Sequence, residues 1–170
     1  MSMKGQYFSF DAIIATVIMV LAFSSLVAYW YGAQAVVESR TYSRLADANR
    51  VAESLLSPGA PSDWNSKTIN DIRQIGIATS FGNELDSAKM NALEDTAQVN
   101  YAEVGNLLRA GGEYFILIER TNTEDGETEI IAAIGKNGYD TLDAKYVAVA
   151  NRGATLDGRP VRMRVFLWKQ

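Results

Sequence analysis

The chain has no cysteine and no histidine. The first absence excludes a disulfide framework and a thiolate metal site. The second removes the commonest general base and the commonest transition-metal ligand. Charge of neither sign dominates: 16 basic against 20 acidic side chains leave a net charge of -4. With no long basic run, the composition argues against a protein that tracks nucleic-acid phosphates. No Asn-x-Ser/Thr sequon occurs, so N-glycosylation of the usual kind is not expected. Gly111-Gly112 is followed by no Lys-Ser/Thr pair and is no phosphate cradle. The acidic stretch Asn122 to Glu127 lacks the full calcium-loop pattern and reads as a solvated hairpin loop. No nucleophile motif stands out. No catalytic, cofactor-binding or metal-binding residue is therefore assigned, and the chain is not read as an enzyme.

Proline is also scarce, and none precedes Pro58. What fills the proline-free first third is the dominant feature of the sequence. Ala12 to Val37 carries no charged residue and passes the roughly 20 residues that a membrane-spanning helix needs. A helix apolar on every side does not suit the surface of a soluble domain, where only one face points at the core. The segment is either held in lipid or bundled with copies of itself. Tyr7, Phe8 and Phe10 lie at one end and Tyr29, Trp30 and Tyr31 at the other, as in the aromatic belts of membrane spans. From Phe8 to Tyr31 is roughly 36 Å of helix.

The helical pattern continues beyond the apolar run. Val37, Leu45, Ala48, Ala52 and Leu55 recur at helical intervals with charges between them. Ser57-Pro58-Gly59 supplies a stop. The expectation is one helix over residues 6–56, apolar all round in its first half and amphipathic in its second, with a globular head over 57–170. In the head, short helices are expected over Ile69 to Ile75, from Leu85 with a cap at Asp86 or Ser87, and over Tyr101 to Arg109 with Asn100 as cap. Gly111-Gly112 would close the last of these.

Residues 113–168 read as an antiparallel sheet of about four strands, which makes the chain α+β. Tyr114 to Ile118 is continuously apolar, as in a strand buried on both faces. Thr128 to Ile134 and Tyr146 to Ala150 follow, and Asp157-Gly158 is a two-residue hairpin signal. In the last strand Val161, Met163, Val165 and Leu167 alternate with Arg162, Arg164, Phe166 and Trp168. The first set should cover the amphipathic half of the long helix, and the second should face outward. For Phe166 and Trp168 two readings stand: packing against the neighbouring strand, or a subunit contact shared with Arg162 and Arg164.

The order Lys4-Gly5-Gln6 followed by Tyr7 to Asp11 and then the apolar helix resembles the class III signal of archaeal type IV pilin-like proteins. The resemblance implies a leader over residues 1–5, cut by a prepilin peptidase between Gly5 and Gln6 on the cytoplasmic side. Asp11 would then be sixth in the processed chain, where the family usually places its acid fifth. Asp11 is either a favourable acid at a helix N-terminus or a carboxylate that pairs with a neighbouring subunit's terminal amine during assembly. A carboxylate in an apolar bundle needs a partner. The resemblance further implies a homopolymer outside the cell, membrane-inserted before pilus assembly machinery acts on it, with an adhesive or similar role. Ala12, Ala15, Ala22, Ser24, Ser25 and Ala28 would let helices approach closely. The main rival is a single-pass surface protein that never polymerises and binds a ligand or partner with its head. An archaellin shares a similar start and ranks lower.

Overall fold

The computed structural model describes residues 4–121, 127–137 and 144–169. The acidic loop expected after the first strand falls almost wholly outside the described residues. Helix α1 runs from Lys4 to Leu55 without interruption, so Lys4, Gly5 and Gln6 continue the helix rather than preceding it. The chain divides into two compact units, Met1–Arg40 and Thr41–Gln170. The second unit thus takes in the last turns of α1, so the boundary falls inside the helix expected over residues 6–56 and not at its end.

Those last turns show why. Ala48, Val51, Ala52 and Leu55 are all fully buried, and their spacing of three and four residues puts them on one helical stripe. They share a core with Val161, Met163 and Val165. Truncating Leu55 to alanine removes about 2–5 kcal/mol. The sheet they cover has four antiparallel strands: β1 (Glu113–Thr121), β2 (Thr128–Gly135), β3 (Lys145–Leu156) and β4 (Arg159–Lys169). Their order is β2-β1-β4-β3. The two central strands, β1 and β4, are buried over most of their length, whereas the edge strand β2 is mostly exposed. Tyr114, Ile116 and Ile118 join the main core, whereas Phe115 and Leu117 join a smaller cluster on the other face. That double burial explains the unbroken apolar run.

The turn between β3 and β4 follows its chemistry. Asp157 and Gly158 have φ of 52° and 72°, the left-handed pair that a type I′ hairpin requires. Strand β3 is longer than expected because it passes straight through Asn151, Arg152 and Gly153, where the apolar pattern lapses. Helix α2 (Ser87–Val99) begins as read, with the Asp86 carboxylate accepting from the amides of Ala88 and Lys89. Helix α3 (Tyr101–Leu108) ends sooner than read, at Arg109 in a left-handed conformation with φ of 54°.

The expected helix over Ile69 to Ile75 is absent. A single 3-10 turn, Ile69–Asp71, gives way to extended chain that pairs with the linker: the Arg73 amide donates to the Ala60 carbonyl at 2.8 Å, and the Ile77 amide to the Leu55 carbonyl at 2.8 Å. Ile75 and Ile77 are thereby fully buried. The pairing satisfies these backbone groups against the preceding segment rather than within a helix, and both isoleucines lie in the core.

Candidate functional site

In the unit Met1–Arg40, every residue from Phe10 to Ser39 is exposed. This includes Met19 at 70 % and Tyr29 at 76 %. The stretch is long and apolar enough to cross a membrane, with an 18-residue window of mean hydropathy 2.3. Two of its hydroxyls are closed on the helix itself. Thr16 Oγ1 donates to the Ala12 carbonyl at 2.7 Å, and Ser25 Oγ to the Leu21 carbonyl at 2.8 Å. A hydroxyl bonded back to the carbonyl four residues earlier turns its own donor away from an apolar surrounding.

The small residues singled out by sequence do not form one seam. At about 100° per residue, Ala12, Ala15 and Ala22 fall within an arc of about 80°. Ser24, Ser25 and Ala28 fall within an arc of about 100° on the opposite side. Small residues thus lie on two sides of the helix, interspersed with large apolar ones such as Met19 and Leu26 on the first and Val17 and Leu21 on the second. Gly32 adds a further open position, with nothing near its missing side chain. Asp11 stands exposed near the start of the helix.

The outer face of the sheet bears out the packing reading of Phe166 and Trp168 and corrects the expectation that they face outward. Phe166 and Trp168 are not surface aromatics: they are 4 % and 0 % exposed, packed with Phe115 and Leu117 in the second cluster, and Ala144 and Val149 lie against it. The alternation of β4 was right, but its second face is apolar at one end and covered there. Arg162 and Arg164 hold the other end. Both pair with Glu119 of β1, at 3.2 and 2.6 Å, and the Arg164 guanidinium lies 5.5 Å from the Phe166 ring centre. The Glu119 side chain is only 7 % exposed, so the pair is a clamp within the sheet. A β-bulge opposite Glu119 marks the spot.

Three other polar devices were not legible in the sequence. Lys89 is buried, and its ammonium donates to the carbonyls of Pro58 and Ala78 at 2.9 and 3.0 Å, tying α2 to the end of the linker. Arg44 and Arg50 of α1 close the C-terminal end of α3. Arg44 donates to the Gly111 carbonyl, and Arg50 to the carbonyls of Leu108 and Arg109, where cations complement the helix dipole. Finally, Tyr101 and Tyr114 stack with ring centres 4.6 Å apart. The Tyr101 hydroxyl donates to Glu113 at 2.7 Å and accepts from the Tyr114 amide at 3.1 Å. Burial pushes both phenols well above the ordinary tyrosine range. Among the described residues, no group of three acidic side chains could hold a metal ion.

No protein-family model matches this chain, and no curated protein does.

Proposed function

We propose that the chain is a structural subunit of an extracellular type IV pilus-like filament, held in the membrane by α1 until it polymerises. The observation that carries the reading is the apolar half of α1: a surface exposed from Phe10 to Ser39, with Thr16 and Ser25 satisfied internally and small residues on two opposite sides. A plain anchor needs only the hydropathy. Close approach on two sides is an added requirement, and it is the one a polymer core imposes. Lipid and bundle are equally apolar, so packing has to discriminate between them. In this reading Lys4, Gly5 and Gln6 direct leader processing by a prepilin peptidase, and Asp11 pairs with a neighbour's terminal amine. The β-unit faces outward with an adhesive or similar role and no catalytic one.

The rival is a membrane-anchored surface protein that stays monomeric, which the hydropathy of α1 supports equally. The absence of native cysteine makes the two separable by single-cysteine crosslinking in intact cells. Ala22→Cys and Ala28→Cys lie one in each of the two arcs, about 120° apart around the helix, and the filament reading expects disulfide-linked pairs from both. Monomer at every stem position tested would favour the anchor.

A further inference from the structure

The unit Thr41–Gln170 contains a cleft of about 600 Å³ away from the apolar half of α1. Three arginines line it: Arg50 near the end of α1, Arg73 in the extended chain after the 3-10 turn, and Arg109 at the end of α3. Arg50 is committed to Asp47 and to the carbonyls at the end of α3. Arg73 and Arg109 are exposed, and among the described residues neither guanidinium has a hydrogen-bonding or ionic partner. The one acid in the wall, Glu53, is already held by Arg152 at 2.8 Å. On a chain of net charge -4, the cleft is a basic island.

Two further side chains give the island a specific chemistry. Phe81 at its rim is 90 % exposed, more than any other large apolar side chain among the described residues of this unit. Neighbouring Gly82 leaves the space beside it open. Asn83 is exposed too, with its backbone fixed by the Thr155 amide donating to its carbonyl at 2.7 Å. A simple anion would use the guanidinium groups alone. An acidic sugar chain uses everything present. Its carboxylates pair with Arg73 and Arg109, the apolar face of a pyranose ring lies on Phe81, and the hydroxyls meet the Asn83 amide.

We propose that this cleft binds an acidic carbohydrate chain of the uronic-acid type. The proposal does not depend on polymerisation, because every residue it uses lies in the one unit.

The test is calorimetric titration of the full chain in detergent micelles with hexagalacturonate, beside neutral maltohexaose and a hexaglutamate peptide. Binding of hexagalacturonate alone is expected, weakening as salt rises. The R73A/R109A double variant should weaken it at least about tenfold, and F81A should weaken it while leaving its salt dependence in place. All three side chains are exposed, so the thermal midpoint should stay put. Should the double variant melt early, R73A alone and the salt titration decide. No binding of hexagalacturonate, equal binding of either control, or indifference to R73A would overturn the proposal. A chain that never forms filaments would leave the result unchanged, so this test and that of the filament reading fail separately.

Discussion

Glu119 Oε1 accepts from Arg164 Nη2 at 2.6 Å across the β1–β4 ladder, while Arg162, its direct cross-strand partner, reaches Oε2 at 3.2 Å. One almost fully buried carboxylate therefore anchors two half-exposed cations. Removing its charge leaves both arginines beside a neutral amide and strands the Arg164 guanidinium, whose Nε is already buried without a partner. Glu119→Gln should cost about 2–3 kcal/mol, toward the lower end of what breaking a buried pair costs, because the arginines can partly reach water. Denaturant unfolding of the full chain in detergent measures this. A loss under about 0.5 kcal/mol would place the pair among ordinary surface bridges.

Lys89 invites a second substitution. Lys89→Met keeps the aliphatic stem but leaves the carbonyls of Pro58 and Ala78 without their donor. Each buried acceptor left unpaired costs about 1–3 kcal/mol, and the loss should appear as a lower unfolding midpoint. An unchanged midpoint would mean that water replaces the ammonium at both carbonyls.

The extended chain after the 3-10 turn has a position that tolerates no side chain. A Cβ on Gly76 would strike the Ser57 carbonyl well inside contact distance, with the Gly59 amide close behind. The backbone there is also fixed by the Trp64 indole donating to the Gly76 carbonyl at 2.7 Å. Gly76→Ala should reach the upper end of the roughly 1–3 kcal/mol range for overpacking. The same change at Gly153, where a Cβ meets nothing within 4 Å, should be nearly silent. Equal effects at the two sites would contradict the packing described.

Much of this architecture was readable from spacing alone. The stripe Ala48, Ala52 and Leu55, the alternation of β4 and the Asp157-Gly158 turn each follow a local rule, and local rules survive without knowledge of partners. What was missed depends on partners remote in sequence. Phe166 and Trp168 look like an exposed face until Phe115, Leu117 and Val149 are placed against them. Ile69 to Ile75 has a helical look, yet the linker backbone at Leu55 to Ala60 offers it a ladder instead. The basic cleft draws Arg50, Arg73 and Arg109 from separate elements, with no motif joining them. By contrast, the apolar run of α1 was legible at once, because its character is set by composition.

Alkaline pH should act through the stacked tyrosines. Burial holds Tyr101 and Tyr114 neutral well above the ordinary value of 10.0, whereas unfolded they ionise near it. Above that value the unfolded state binds fewer protons than the native one, so stability falls as pH rises. It is fully present below the unfolded pKa and is lost on the way up to the folded pKa. Unfolding midpoints at about pH 8 and about pH 11 should differ more in the wild type than in Tyr114→Phe, which has one such phenol fewer. A steeper loss in the variant would reverse the assignment.

The central claim concerns α1, and electron microscopy of material sheared from the cell surface tests it most directly, paired with mass spectrometry of the chain it contains. The account predicts filaments built of this protein, with a mature N-terminus at Gln6, and their loss when Ala15 and Ala22 are both replaced by leucine although the protein still enters the membrane. Finding the protein only as detergent-soluble monomer, with Met1 intact and no filament in the sheared fraction, would contradict it.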